Sequence, residues 1–244
     1  MPERLPDFLG LGTQKGGTTT LHQLLTHHPG VHLPACKEVH YFSKHWHHSK
    51  RWYSDHFNES RPDQCCGEIT PFYLFHPEVP QRIHSLLPTV KLLVLLRDPV
   101  ERALSQVFHA RKRGFETLDP AEAIAAEPGR LADGDPESLQ KHSYLSRSNY
   151  LEQMDRYESL FPPKQLLVLQ SEALFSDPEP TWNHLQAFLG LESVPVPEEM
   201  PRANAGEGDT QRVDPILRNH LRRLLGKTAM GVRERYGFGW DWAS

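Results

Sequence analysis

The chain has 244 residues, a formal net charge of −4 at pH 7, 38% hydrophobic residues and 24% charged residues. These values are ordinary for a globular protein, and the length favours one large α/β domain over two small ones. No global basic field is present, which argues against a nucleic-acid binder. An anion that binds this chain must therefore be held locally, by a few placed cations and backbone N–H groups.

The cysteines and the first residues bear on location. Cys36, Cys65 and Cys66 are odd in number and two are adjacent, so they do not form a disulfide framework, and a reducing compartment is the simpler interpretation. The opening residues MPERLPDFLG contain no long apolar run and no small-residue cleavage site. No stretch reaches the apolar length that crosses a bilayer. We therefore expect a cytoplasmic protein without a membrane span.

Buried apolar runs alternate with amphipathic patterns along the chain. In chain order, the patterns predict a strand at 8–12, a helix at 18–28, weaker strands at 31–33 and 65–68, a strand at 91–96, helices at 100–113 and 148–161, a strand at 165–170, a helix at 180–189, and a helix that starts at Asp214-Pro215 and runs through Leu225. This alternation predicts an α/β fold with a mainly parallel sheet. The stretches 114–142 and 192–212 are rich in Gly, Pro and acidic residues, and we expect both to be irregular.

A first anion site is predicted at residues 12–20, GTQKGGTTT, between a buried strand and an amphipathic helix. Gly16 and Gly17 allow a tight turn with inward N–H groups, and the following helix adds its dipole. Lys15 supplies a positive charge, and the three threonines supply hydroxyl donors. The alternative is a glycine-containing turn with an exposed lysine. The string also differs from the nucleotide-triphosphatase loop, because its lysine precedes the double glycine and none follows.

A second anion site is predicted where the strand at 91–96 ends. Arg97 follows that strand directly, at the edge where open α/β sheets bind ligands. Ser105 comes eight residues later, about two helical turns on, so its hydroxyl can share one phosphate with the guanidinium. The alternative is that Arg97 pairs with a local carboxylate and Ser105 is a neutral surface residue.

These strings resemble the sulfotransferase family. TQKGGTT, at 13–19, is similar to the family's 5′-phosphosulfate loop, and RDPVERALSQ, at 97–106, to its 3′-phosphate motif. Within the family, the chain is most similar to the heparan-sulfate sulfotransferase type. The strings that carry this likeness are KEVHYF at 37–42, Tyr73 after Thr70-Pro71, FPPKQLLVLQSEAL and a closing GFGW. The resemblance spans nearly the whole chain. It implies a single sulfotransferase domain at 1–244, with a P-loop-like three-layer fold around a five-stranded, mainly parallel sheet flanked by helices.

The resemblance also implies a donor and a set of site residues. The donor is 3′-phosphoadenosine-5′-phosphosulfate (PAPS), which leaves as adenosine 3′,5′-bisphosphate, and no metal is required. Glu38 is the implied catalytic base, His40 an assisting residue, and Lys15 the bridge between the donor phosphate and the sulfuryl group. Without the resemblance, Glu38 would be interpreted as a solvated carboxylate that pairs with Lys37 or Lys44. The implied nucleotide-binding residues are Thr13, Gln14, Lys15, Gly16, Gly17, Thr18, Thr19, Arg97, Ser105 and Arg212.

The chain departs from the heparan-sulfate type in three respects. Ile69 stands where those relatives carry a lysine, so an anionic polysaccharide is not the implied acceptor. The Lys-Gly-Arg stretch that helps to hold the 3′-phosphate has only a partial counterpart at 206–212, from which Arg212 is taken. The cysteine pair near the C-terminus of secretory-pathway members is also absent. We expect a small-molecule or carbohydrate acceptor and leave the oligomeric state open.

The residues allow three other interpretations. A nucleotide-dependent kinase is disfavoured, because no Gly-Lys-Ser/Thr follows the glycines and no clear Mg²⁺-holding aspartate follows a strand. A non-catalytic nucleotide-binding module keeps the same loops without turnover. His40, His45, His47 and His48 cluster near Trp46, but their spacing matches no familiar metal motif, so a loop of surface histidines is the expected reading.

Overall fold

The computed structural model describes residues 3–197 and 209–243. By their contacts, the described residues group into two compact units, one containing residues 3–96 and 153–197, the other containing 97–152 and 209–243. The assignment of 1–244 to a single domain stays a prediction.

The described residues form five strands and eleven α-helices. In chain order they are β1 (Phe8–Gly12), α1 (Thr18–His27), β2 (Val31–His32), α2 (Lys50–Asp55), β3 (Cys65–Ile69), α3 (Phe72–Phe75), α4 (Val79–Leu86), β4 (Lys91–Leu96), α5 (Pro99–Lys112), α6 (Pro120–Leu131), α7 (Pro136–Lys141), α8 (Tyr150–Glu158), β5 (Leu166–Gln170), α9 (Ser171–Ser176), α10 (Pro178–Leu189) and α11 (Pro215–Tyr236). Among these residues, no helix is both long and apolar enough to cross a membrane.

All five strands form one sheet in the first unit, in the order β2-β3-β1-β4-β5, and every neighbouring pair is parallel. β1 and β4 are central, and nearly all their residues are buried, as expected for strands covered on both faces. β5 lies at an edge and alternates between buried and half-buried residues. Because all strands are parallel, their carboxyl ends meet at one edge, and the loop after β1 lies there.

In the first unit, one buried cluster packs α1 and α10 against the sheet. Leu21, Leu24 and Leu25 of α1 lie in one buried cluster with Leu93 and Leu95 of β4. The aromatic and leucine side chains of α10 that the 180–189 pattern predicted lie in the same cluster. The apolar spacing that predicted α1 and α10 is therefore the spacing that packs these helices on the sheet.

The second unit has a separate core. Val100, Leu104 and Val107 of α5 pack with Leu221 and Leu225 of α11. The same cluster includes Tyr144 and, from the 114–142 stretch that was expected to be irregular, Ala123 and Ile124. This stretch therefore contributes to a hydrophobic core.

The expectation of an irregular segment at 114–142 is wrong, because α6 and α7 occupy most of it. Asp119 accepts hydrogen bonds from the N–H groups of Ala121 and Glu122, and the Glu122 side chain accepts from the Asp119 N–H, which completes a capping box. Asp135 caps α7 by accepting from the Ser138 N–H at 2.7 Å. Two of the prolines that suggested a loop, Pro120 and Pro136, stand at the starts of the helices, where a missing N–H costs little, while Pro128 lies inside α6.

The expectation for 192–212 can be examined only in part, because residues 198–208 lie outside the described ranges. Residues 192–197 have no regular secondary structure, and Asp209–Arg212 form a short 3₁₀ turn.

The contact between β3 and β1 gives a first stability prediction. A Cβ at Gly67 would lie 2.2–2.4 Å from three ring atoms of Phe8, which is fully buried. Gly67→Ala is expected to lower the free energy of unfolding by about 2–3 kcal/mol, because the core must be over-packed. Gly226→Ala, inside α11 with nothing within 4 Å of the added Cβ, is the control and should raise it by about 0.5–1 kcal/mol. Urea unfolding measures both; equal effects would contradict the packing argument.

Candidate active site

The loop between β1 and α1 is a tight turn that hydrogen bonds of its own backbone hold in shape. The Thr13 N–H donates to the Leu95 carbonyl of β4 at 2.7 Å, and the Gly16 N–H donates to the Thr13 carbonyl at 2.9 Å. Lys15 and Gly17 both have left-handed backbone conformations, with φ of 69° and 89°. Such a turn at the end of a strand directs successive N–H groups towards one point, which is how proteins cradle an anion.

The two glycines of this loop are required by space. A Cβ at Gly16 would lie 2.4 Å from Thr13 Oγ1, and one at Gly17 would lie 2.9 Å from the Phe175 ring. Ser171 Oγ donates to the Gly16 carbonyl at 2.8 Å and fixes the loop from the end of β5. Sequence analysis missed Ser171, since no local pattern links it to a loop 155 residues earlier.

The loop fits an anionic ligand by two further observations. Thr13 Oγ1 is buried and has no hydrogen-bond partner in the structure, so a ligand oxygen would satisfy a group that is otherwise costly to bury. Gly17 is the N-cap of α1, and no side chain caps that helix start. The N–H groups of the first turn and the helix dipole are thus directed towards a negative charge.

Lys37 brings a second cation to the first turn of α1. Its Nζ donates to Thr19 Oγ1 at 2.7 Å and lies 3.7 Å from Glu38 Oε1. Sequence analysis named Lys37 only as a possible partner of Glu38. The structure shows that it also contacts a residue of the predicted phosphosulfate loop, so Glu38 and that loop are joined through one side chain.

Glu38 and His40, the predicted base and its assistant, contact each other. His40 Nε2 lies 3.3 Å from Glu38 Oε2, and Glu38 is 39% exposed. Its partial burial alone would raise the pKa of Glu38, but the hydrogen bond with His40 and the charge of Lys37 outweigh this effect, and the pKa lies below the ordinary value. The carboxyl is therefore ionised at neutral pH and able to accept a proton.

The second predicted motif lies in the other unit, at the start of α5. Asp98 caps this helix by accepting from the N–H groups of Val100 and Glu101 at 2.8 and 3.1 Å, and it accepts from Trp242 Nε1 at 2.6 Å. Tyr150 Oη donates to the Arg97 carbonyl at 2.8 Å. The Arg97 backbone is thus held by its surroundings while its side chain is half-buried.

The buried Arg102 anchors the rest of this motif. It is fully buried and donates to Ser148 Oγ and to Gln106 Oε1, each at 2.6 Å, and to the Tyr144 carbonyl. Burial lowers the pKa of Arg102 to about 10. Ser105, three residues further along α5, is half-buried. The arginine inside the motif is structural, and it fixes the helix that carries Ser105.

The remaining site predictions are only partly placed. Arg212 ends the 3₁₀ turn and is exposed, while residues 206–208 of its stretch lie outside the described ranges. His45, His47 and His48 lie near one another beside Trp52, but no group of three or more His, Cys, Asp or Glu side chains in residues 3–197 and 209–243 is arranged to hold a metal.

The cysteines are free in the structure. Cys36 is exposed, Cys65 half-buried and Cys66 buried. Burial raises the pKa of Cys65 to about 12, so its thiol is protonated and unreactive at neutral pH.

A cavity of about 450 Å³ lies at the opposite edge of the sheet. Its lining includes Cys65 and Lys91, the first residues of β3 and β4, so it opens at the amino ends of the strands. The glycine-rich loop follows the carboxyl end of β1. The cavity is therefore separate from the candidate active site.

The fold and the loop together define a P-loop-like α/β protein with a glycine-rich turn whose geometry suits an anion, and with an adjacent carboxylate. A family model described as "Sulfotransferase domain" matches residues 5–205. The chain belongs to the sulfotransferase family, as the sequence analysis predicted.

Individual relatives agree with this assignment. The chain is 31% identical over 194 residues to heparan sulfate glucosamine 3-O-sulfotransferase 5 from Homo sapiens, covering 78% of this chain and 54% of the relative. It is 34% identical over 204 residues to the bifunctional heparan sulfate N-deacetylase/N-sulfotransferase 3 from Homo sapiens, covering 78% and 23%. The chain thus spans about half of the first relative's length and less of the second's.

A solved structure extends the likeness over the full chain. The crystal structure of a sulfotransferase from Alicyclobacillus acidocaldarius has a TM-score of 0.85 and 27% sequence identity, and the match covers 99% of this chain and 100% of that one. The predicted P-loop-like fold with a five-stranded parallel sheet is confirmed.

Proposed function

We propose that this chain transfers a sulfuryl group from PAPS to a hydroxyl or amine of a small-molecule or carbohydrate acceptor. The single observation that carries the proposal is the contact series from Thr19 through Lys37 to Glu38, because it sets a proton-accepting carboxylate beside an anion-binding turn. When bound, PAPS supplies an activated sulfuryl group on a good leaving phosphate. A kinase would need a magnesium-holding carboxylate at such a turn; two side chains that hydrogen-bond to this turn are those of Lys37 and Ser171.

In this proposal the loop residues bind the donor. The N–H groups of Gly17 and the first turn of α1 bind the 5′-phosphosulfate, with the side chains of Thr13, Gln14, Thr18 and Thr19. Gly16, whose N–H donates to the Thr13 carbonyl, shapes the turn that holds it. Lys15 offsets the charge that grows on the leaving phosphate. This stabilisation acts by position and charge, as in phosphoryl transfer, where covalent help from the protein is small.

Glu38 acts on the acceptor in this proposal. Its ionised carboxylate takes the proton of the attacking hydroxyl or amine, and His40 holds that carboxylate in place. Arg97 and Ser105 bind the ribose 3′-phosphate, and Arg212 adds a third contact. Guanidinium groups suit phosphate oxygens because two N–H donors can bind at once.

The nature of the acceptor and the cellular location are also proposals. Heparan sulfate appears in the names of the relatives, but Ile69 is fully buried here and offers no charge to a polyanion. We therefore propose a less charged acceptor. A cytoplasmic location rests on the three unpaired cysteines; fractionation of the native cells would test it.

Binding of adenosine 3′,5′-bisphosphate tests the donor assignment. Arg97→Ala is expected to weaken the affinity about 10–100-fold, since charged hydrogen bonds to a phosphate are lost. Arg111→Ala is the matched control: it removes an exposed arginine at the other end of the same helix and should leave the affinity unchanged. Isothermal titration calorimetry measures both.

Two outcomes of that titration would overturn the proposal. No association of the bisphosphate with the wild-type protein would contradict it, as would equal affinities of the wild type and Arg97→Ala. Stabilisation by ATP with Mg²⁺ but not by the bisphosphate, in a thermal-shift assay, would favour a kinase instead.

A further inference from the structure

The buried carboxylate of Glu68 has no part in the function proposed above. It lies near the end of β3, 1% exposed, and three hydroxyl groups donate to it. Tyr53 and Tyr73 donate to Oε1, each at 2.8 Å, and Thr70 donates to Oε2 at 2.7 Å. Burial raises the pKa of Glu68, although these hydrogen bonds oppose the rise. A carboxyl group is costly to bury, so a role for Glu68 is expected that offsets this cost.

Two of the three hydroxyl groups continue to the segment that carries His40. The Phe42 N–H donates to Tyr73 Oη at 3.3 Å, and the His40 N–H donates to Thr70 Oγ1 at 3.5 Å. Each hydroxyl therefore gives its own hydrogen to Glu68 and accepts one from the backbone. Tyr53 Oη donates only to Glu68.

The backbone at His40 needs such support. His40 has a φ of 57°, in the left-handed region that non-glycine residues rarely adopt. The N–H groups of Ser43, Lys44 and His45 all donate to the His40 carbonyl, which fixes the C-terminal side of this residue. Thr70 and Tyr73 act on its other side and on the residue two positions later.

We propose that Glu68 is a positioning residue for the Glu38–His40 pair, acting through Thr70 and Tyr73 on the backbone of residues 40–42. With Glu68 in place, both hydroxyl groups are oriented to accept from the backbone, and His40 Nε2 is held 3.3 Å from Glu38. This role deepens the proposed function and rests on Glu38 as its base. It also accounts for the pattern Glu68-Ile69-Thr70-Pro71 followed by Tyr73, since Glu68 accepts from both hydroxyl groups and each of these accepts from the 40–42 backbone.

The three hydroxyl groups provide matched variants. Tyr53→Phe and Tyr73→Phe each remove one hydrogen bond to the same carboxylate oxygen, but only Tyr73→Phe and Thr70→Val also break a link to the 40–42 backbone. All three leave the hydrogen bonds between backbone groups in place and keep nearly the same side-chain volume. Thr70→Ser restores the hydroxyl and serves as the conservative rescue.

The test is the titration of the Glu38 carboxyl, followed by ¹³C NMR on glutamate-labelled protein, with Glu38→Gln to assign the signal. Because the His40 contact lowers the pKa of Glu38, Thr70→Val and Tyr73→Phe should raise it by about 0.5 or more. Tyr53→Phe and Thr70→Ser should leave it unchanged. Turnover of ³⁵S-labelled PAPS should fall about tenfold in the first two variants only.

The outcomes separate this inference from the proposed function. If Tyr53→Phe shifts the Glu38 pKa as much as Tyr73→Phe does, or if neither Thr70→Val nor Tyr73→Phe shifts it, the positioning role is overturned. The titration needs no acceptor, so it decides this point without turnover. A wild-type protein that transfers no label to any acceptor while these shifts occur would contradict the proposed function and not the positioning role.

Discussion

Lys15→Ala is expected to reduce sulfuryl transfer by about 10³-fold, the size of effect seen when a charge-stabilising group is removed from a water-poor active site. The proposed reaction leaves negative charge on the 5′-phosphate, and Lys15 is the lysine within the turn that binds it. The left-handed backbone at Lys15 and the space-limited glycines beside it fix where this side chain starts. Transfer of label from ³⁵S-PAPS to a panel of hydroxyl and amine acceptors measures the effect.

The controls for Lys15 separate charge from fold. Lys164→Ala removes an exposed lysine from a short 3₁₀ turn before β5 and should retain full activity. Lys15→Arg keeps the charge but changes its geometry, so it should recover only part of the loss. A Lys15→Ala protein with more than about a tenth of the wild-type turnover would contradict the proposed role.

The central strands could be predicted because their residues are almost all apolar, as burial on both faces of a sheet requires. β1 and β4 begin and end where their apolar runs predict. Each strand leads directly into one of the two predicted anion-binding motifs, so the strand's last residue also fixes where the motif starts. β5 begins one residue later than predicted, since Gln165 belongs to a 3₁₀ turn. In a parallel strand that is buried on both faces, apolar and polar residues do not alternate. A continuous apolar run between turn signals is therefore sufficient to predict such a strand.

Helices with few large apolar residues were harder to predict. The pair Asp214-Pro215 was interpreted as a helix start, and α11 begins there. The same signal stands at Asp119-Pro120 and Asp135-Pro136, inside the stretch that its composition predicts to be irregular, and both pairs begin helices. An aspartate before proline is thus a stronger local signal than the average composition around it, because the cap satisfies backbone donors directly.

The candidate site was predictable where its residues are close in sequence. The 12–20 loop and the Glu38–His40 pair were found from short strings. Contacts of long sequence separation could not be found this way: Ser171 reaches Gly16 across 155 positions, and Lys37 reaches Thr19 across 18. A hydroxyl or ammonium group has many possible partners, and only the folded chain selects one.

Glu38→Gln is expected to remove most turnover, about 10²–10⁴-fold, while leaving the affinity for adenosine 3′,5′-bisphosphate within about twofold. The amide has the size of the carboxylate but cannot accept the acceptor's proton. It also keeps a polar contact to Lys37 and His40, so the segment should stay folded. Calorimetry and ³⁵S transfer on the same protein sample give the two quantities.

Two comparisons make the Glu38 test specific. Glu59→Gln changes an exposed carboxylate outside the site and should alter neither quantity. Because the pKa of Glu38 lies below its ordinary value near ~4.3, the wild type should keep its turnover as the pH falls from 7 to 5, and lose it only where this carboxylate is protonated. Turnover of Glu38→Gln equal to that of the wild type would show that another group accepts the proton, and His40, which contacts Glu38 at 3.3 Å, would be the next residue to replace.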